Sequence, residues 1–122
     1  GTQQSFNSGC SGKLFAAYLD RNDLDLLFAE GFTKSASQSI LDKDRLLEEY
    51  ARIRERGYST VYKEFGENTG GVAVPISDKY NEIVAALAVV FPADLYTEQL
   101  IEQLAILLKE RARKVTSILN FR

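Results

Sequence analysis

The chain has 122 residues, of which 45% are hydrophobic and 26% are charged, and these proportions are typical of one folded domain rather than of two domains or a disordered segment. Fifteen Lys and Arg residues against 17 Asp and Glu residues give a net charge of −2, which argues against direct binding of this chain to a nucleic-acid backbone. The absence of histidine and the single cysteine exclude a Ser-His-Asp triad, a Cys-His dyad, a Cys/His zinc site and an internal disulfide. We expect no metal and no cofactor.

The first third of the chain predicts a loop followed by two short helices. Residues 1–12 are small and polar, whereas apolar side chains recur at helical spacing over residues 12–19. Ser8 or Ser11 is available as the N-cap of this first helix. Asn22 is placed to cap a second short helix with a leucine-rich apolar side.

The third predicted helix, over residues 42–56, has the clearest boundaries. Asp42 or Asp44 can cap its first turn, and arginines occupy its last turns, an arrangement that the helix macrodipole favours. Gly57 follows at the position where helices commonly end in a left-handed residue.

The hydrophobic pattern then changes from helical to alternating. Residues 58–65 predict a half-exposed strand, and residues 71–77 predict a second strand. Pro75 indicates an edge position or a bulge in that second strand, because proline cannot donate to a β-ladder. The continuous apolar run at residues 82–91 predicts a central strand covered on both faces, and an amphipathic helix over residues 97–119 completes the chain.

The order of these elements predicts an α+β fold, with an antiparallel sheet flanked by helices, and residues 1–122 form one domain. Three strands make a thin sheet for so many amphipathic helices. We therefore expect further strands, belonging to the N-terminal side of the sheet, to be missing from this sequence.

An ordered set of short motifs along the chain resembles the effector-binding domain of IclR-type (isocitrate-lyase-regulator-type) transcription regulators. Each motif is weak alone, but the set covers essentially the whole chain in the family's order and spacing. The residues that carry the resemblance are Gly12-Lys13, Ser39-Ile40, Asp42, Leu47, Ile53-Arg54, Arg56-Gly57-Tyr58, Glu64, Ala73-Val74-Pro75, Asp78 and Ala85-Ala86-Leu87.

The resemblance implies a GAF-like effector-binding domain of a bacterial regulator, without catalytic activity. It implies that the chain is the C-terminal portion of that domain, that DNA is bound only through an absent winged helix-turn-helix domain, and that the protein is a homodimer or homotetramer. No apolar run reaches the roughly 18 residues of a membrane span, and no signal peptide is evident. We therefore expect a cytoplasmic protein that does not bind membranes.

The stretch from Asn7 to Lys13 superficially resembles a phosphate-binding loop, but Asn7 replaces the glycine that such a loop needs, and Leu14 replaces its Ser or Thr. Small residues that lead into a helix expose backbone N–H groups, which suit a carboxylate. In the family this loop borders the effector pocket, so Cys10, Ser11 and Gly12 are candidate ligand-binding residues. The alternative is that the glycines only permit a tight turn and close helix packing.

Four further pocket positions follow from the resemblance alone: Val61, Gly71, Ala88 and Val90. Members of the family that bind small acids carry polar side chains there, whereas this chain carries apolar side chains or none. A small polar ligand needs convergent hydrogen bonds. The substitutions therefore favour an apolar or aromatic small-molecule effector, or a degenerate pocket in a domain that only assembles subunits.

Cys10 could also be a reactive thiol, because a helix N-terminus and Lys13 can both lower a thiol pKa. Neither a histidine base nor a second cysteine is present to support that chemistry. We expect Cys10 to be a small buried residue beside the pocket.

Overall fold

The structure, a computed structural model, describes residues 6–32, 34 and 36–119. Within these residues, the helices and strands follow one another in the predicted order. They are α1 (Cys10–Ala17), α2 (Arg21–Ala29), α3 (Lys43–Arg56), β1 (Ser59–Tyr62), β2 (Thr69–Ser77), β3 (Ile83–Pro92), a 3-10 turn (Ala93–Leu95) and α4 (Glu98–Leu119). Part of the predicted N-terminal loop, residues 1–5, lies outside the described residues.

The helix ends predicted from the sequence agree with the structure at α3 and agree less well at α1 and α2. The Asp42 carboxylate accepts hydrogen bonds from the first backbone N–H groups of α3, and Gly57 ends that helix with a φ of 81°. The predicted N-caps of the first two helices are wrong. Helix α1 begins at Cys10, after Gly9, with no side-chain cap, and Asp20 caps α2 in place of Asn22. An aspartate one residue before the helix presents its carboxylate to the free N–H groups, which a residue inside the first turn cannot do.

The sheet is antiparallel with the order β1-β2-β3, so the prediction that the apolar run forms the central strand is wrong. That run is β3, an edge strand whose Val84 and Val90 are 53% and 61% exposed. The central strand is β2, in which Val72 and Val74 are fully buried. An uninterrupted apolar run gives both strand faces apolar side chains, but it does not ensure that a helix covers both.

Pro75 lies in the central strand, at a place where that strand has one neighbour. The pairing with β1 ends at Ser59 opposite Ala73, whereas the pairing with β3 continues past Pro75, opposite Ala86. The register shift falls immediately afterwards, between Ile76 and Ser77. The proline therefore lies at a locally one-sided position beside an irregularity, as its missing N–H requires.

Helices cover the two faces of the sheet in separate layers, which confirms the α+β class. Helices α1 and α3 pack on the face that carries Val61 and Ala73. Helix α4 packs on the other face, where its Ile101 and Ala105 meet the even-numbered residues of β2. The apolar residues of α4 are not all buried, since Leu107 is 46% exposed.

Candidate functional site

The N-terminus of α1 lies against the sheet at the level where β2 is paired with β1 on one side and with β3 on the other. Val61 is opposite Gly71 in one strand pair, and Gly71 is opposite Val90 in the other. A Cβ atom on Gly71 would lie 3.1 Å from Val61 Cγ1 and 3.4 Å from Cys10 Sγ. The tight contact is with the neighbouring strand, so the absence of a side chain at position 71 relieves crowding within the sheet, while Cys10 would be at an ordinary contact distance.

A cavity of about 120 Å³ opens at this junction. Its walls are Gly9, Cys10, Val61, Phe65, Thr69 and Val90. The cavity is mainly apolar, and Val90, 61% exposed, places its open side along β3.

The structure thus brings together four of the seven residues that the sequence singled out. Cys10, Val61 and Val90 line the cavity, and Gly71 lies next to Val61 and Cys10 without lining it. Ser11 and Gly12 lie in the first turn of α1 and Ala88 lies opposite Ala73; none of these three lines the cavity.

Three lining residues, Gly9, Phe65 and Thr69, were missed by the sequence reasoning. Thr69 had a signal in the alternation of β2, because it has the same parity as Gly71. Phe65 had none, because it lies beyond the end of β1 at Tyr62 and after the positive φ of Lys63. The positions that the family resemblance implied did not include these residues.

Backbone N–H groups and one buried hydroxyl near the start of α1 have no partner in the regular hydrogen bonding of the helix. The first i→i−4 bond of the helix runs from the Lys13 N–H to the Gly9 carbonyl at 2.9 Å, so the N–H groups of Cys10, Ser11 and Gly12 have no acceptor within the helix. The Ser8 hydroxyl is buried and has no hydrogen-bond partner among the described residues. These donors suit an anionic group.

The Cys10 thiol is not activated by its position. The side chain is 3% exposed, and burial raises the pKa of the thiol, although Lys13 and the nearby backbone N–H groups act in the opposite direction. A neutral, buried thiol is a poor nucleophile. Cys10 therefore behaves as the small buried residue that the sequence predicted.

Lys13 is fully buried and held by internal partners rather than turned towards a phosphate. Its Nζ donates to Glu64 Oε1 at 2.7 Å and to the Thr60 carbonyl at 2.6 Å. Glu64 Oε2 accepts a hydrogen bond from the Tyr62 backbone N–H at 3.1 Å. These contacts leave no place for Lys13 in a phosphate-binding loop.

The buried ion pair also fixes the wall of the cavity. Glu64 immediately precedes Phe65, and its backbone carbonyl accepts a hydrogen bond from the Ser39 hydroxyl at 2.7 Å. The Ser59 hydroxyl donates to the Cys10 carbonyl. Burial raises the pKa of the Glu64 carboxyl, while the Lys13 charge acts to lower it.

In the described part of the chain, no three His, Cys, Asp or Glu side chains are close enough together to hold a metal ion. None of the helices in those ranges combines the length and apolar character needed to cross a membrane.

Comparison with known proteins gives a consistent result. Residues 1–117 match the family model described as "Bacterial transcriptional regulator IclR C-terminal". The HTH-type transcriptional regulator KdgR of Escherichia coli K12 is 25% identical over 122 residues, which cover 99% of this chain and 46% of KdgR. The chain thus spans less than half the length of this relative.

Solved structures share the fold. The crystal structure of the C-terminal domain of E. coli KdgR superposes with a TM-score of 0.86 at 25% identity, covering 96% of this chain and 72% of that one. The inducer-binding domain of the Acinetobacter transcription factor PobR, in a double mutant complexed with 3-hydroxybenzoic acid, superposes with a TM-score of 0.87 at 23% identity, covering 95% and 67%. These relatives are described as transcription regulators and not as enzymes, and on the match of the family model this chain belongs to the C-terminal domain family of the bacterial IclR transcriptional regulators.

Proposed function

We propose that this domain senses a small organic acid with an apolar or aromatic body, and that the cavity beneath the N-terminus of α1 is its binding site. The observation that carries the proposal is the position of that cavity. It lies beside the start of α1, whose first N–H groups have no acceptor in the helix backbone, and Val61 and Val90 give it apolar walls.

In the bound state, the carboxylate accepts hydrogen bonds from the backbone N–H groups of Cys10, Ser11 and Gly12, and the body of the effector packs on the sheet. The cavity of about 120 Å³ is smaller than the roughly 300–1,000 Å³ of most small-molecule sites. The effector therefore extends along the open side over Ala88. The 3-hydroxybenzoic acid in the PobR complex has the chemistry that such a site would accept.

The matched pair Val90→Arg and Val84→Arg tests this site. Both valines are exposed on β3, but only Val90 lines the cavity, whereas Val84 lies at the register shift near the other end of the strand. We expect 3-hydroxybenzoate to bind the unmodified chain and V84R equally in calorimetric titration, and to lose its binding to V90R. Equal binding to both variants would refute the site.

Ligand binding in this proposal changes the arrangement of subunits in a homodimer or homotetramer, and thereby the DNA affinity of a winged-helix domain outside this sequence. In the described residues, the outer edge of β3 carries no further strand, and such an edge favours pairing with another chain. The regulator acts in the cytoplasm. Sedimentation of the chain should show self-association, and gel-shift titration should show no specific DNA binding.

A second candidate function is an assembly domain that binds no effector. Thr69 is the only residue with a hydroxyl, amide or charged side chain among those that line the cavity in the described residues, which favours this alternative. Self-association without binding of any benzoate or aliphatic carboxylate at millimolar concentration would support it over the sensor.

A further inference from the structure

A larger groove lies on the opposite face of the sheet, between the end of α3, the second half of β2 and the last turns of α4. Its volume is about 480 Å³, which is within the range of small-molecule sites. The residues that line it are Gly57, Val74, Pro75, Ser77, Lys109, Ala112, Arg113, Thr116 and Ser117.

Lys109 is held in a fixed position at one end of this groove. Its Nζ donates to the Arg56 carbonyl at 2.5 Å and lies 5.3 Å from the centre of the Tyr58 ring. A Cβ atom on Gly57 would be 3.3 Å from both Cε and Nζ of Lys109, so the left-handed glycine makes room for the lysine. Two of the three ammonium N–H donors remain available.

Arg113 adds a second positive charge one helical turn further along α4. It forms no ion pair with any described residue, whereas Lys114 on the same helix pairs with Glu110 at 3.8 Å. No carboxylate lines the groove. The groove therefore presents two cations without an acidic partner in a chain whose net charge is −2.

The rest of the groove combines an apolar floor with hydroxyl groups. Val74, Pro75 and Ala112 form the floor, and the hydroxyl groups of Thr116 and Ser117 lie towards the C-terminal end of α4. The Thr116 hydroxyl donates to the Ser77 carbonyl at 2.8 Å. This arrangement fits a molecule with a negatively charged group at one end and a short apolar body.

We propose that this groove binds a small organic anion, a carboxylate or a phosphate ester on an apolar body, at a site separate from the cavity beneath α1. Arg113 and Lys109 bind the anionic group, and the floor of the groove contacts the body. This proposal does not depend on the effector site, because the two sites lie on opposite faces of the sheet.

Phenyl phosphate and benzoate are suitable probes, because they share a ring and differ in the anionic group. We expect Arg113→Gln to weaken binding of at least one probe about tenfold at constant ionic strength, as expected for the loss of a charge-assisted hydrogen bond. Arg111→Gln is the matched control, since it removes the same charge from the same helix but outside the groove. It should leave the affinity unchanged. In V90R, which blocks the cavity beneath α1, binding of the probes at the groove should persist.

Three results would overturn the proposal: no binding of either probe at several millimolar, equal weakening by R113Q and R111Q, or loss of binding in V90R alone. The second would indicate a general effect of net charge, and the third would place the probes in the cavity beneath α1. Retained binding in V90R together with loss in R113Q supports the groove even if the effector site itself proves wrong.

Discussion

Replacing Lys13 by methionine removes the positive charge that compensates a buried carboxylate. In the folded chain, Lys13 is fully buried and the Glu64 side chain is 12% exposed. Methionine preserves most of the length and apolar contact of the lysine, so Lys13→Met chiefly leaves Glu64 without its partner. The Thr60 carbonyl also loses a donor at 2.6 Å.

We expect K13M to lower the free energy of unfolding by about 3–5 kcal/mol at neutral pH, the usual cost of leaving one member of a buried pair uncompensated. A domain of this size is stable by about 5–15 kcal/mol, so the loss is a large fraction of the total. The double variant K13M/E64Q buries no charge, and its glutamine can still accept the Tyr62 N–H. It should recover most of the loss.

Urea unfolding followed by far-UV circular dichroism measures these changes, and the chain has no tryptophan to complicate the spectrum. The matched control is Lys114→Met, which breaks the pair with Glu110 in which both side chains are more than half exposed. Exposed pairs contribute less than about 1 kcal/mol, so K114M should be close to the unmodified chain.

The pH dependence of the free energy of unfolding tests independently whether the uncompensated Glu64 carboxylate causes the loss in K13M. Burial raises the pKa of Glu64 above its ordinary value of 4.5, so the folded state binds this proton more tightly than the unfolded state. The contribution of Glu64 to the free energy of unfolding therefore falls as the pH rises from 4.5 through the raised pKa of the folded state. Acidification restores that contribution. Removing Lys13 raises that pKa further, so the defect of K13M should shrink at acidic pH, whereas that of K13M/E64Q should not.

Two results would refute this reasoning. If K13M loses no more free energy of unfolding than K114M, the Lys13–Glu64 pair is effectively solvated. A double variant no more stable than K13M would mean that the defect comes from lost packing and not from the uncompensated carboxylate.

Two further predictions concern Gly71 and Cys10. Gly71→Ala should destabilise the chain by about 1–3 kcal/mol in the same urea assay, because the new Cβ lies 3.1 Å from Val61 Cγ1 and from the Val89 carbonyl oxygen; an unchanged midpoint would show that the three strands are not tightly packed around position 71. The Cys10 thiol, buried and with a raised pKa, should react with a disulfide reagent at neutral pH far more slowly in the native chain than in urea, and rapid native labelling would contradict its burial.

The sequence alone was sufficient for features that depend on local interactions. Helix α3 is bounded by Asp42 and Gly57, as predicted, because a cap and a left-handed terminator act on neighbouring residues. The antiparallel sheet flanked by helices followed from the change in hydrophobic period. The family motifs suggested that α1 and the three strands would meet at one site, and the structure brings Cys10, Val61 and Val90 to one cavity.

Features that depend on which elements pack together were decided only by the tertiary structure. The apolar run of β3 is compatible with a central or an edge strand, and it is an edge because, in the described residues, β3 pairs only with β2. Lys13 and Glu64 are 51 residues apart, and neither residue's local sequence indicates that the other will neutralise its charge. Local pattern determines the elements, but burial and the pairing of buried charges depend on contacts between distant segments, which form only when the whole chain has folded.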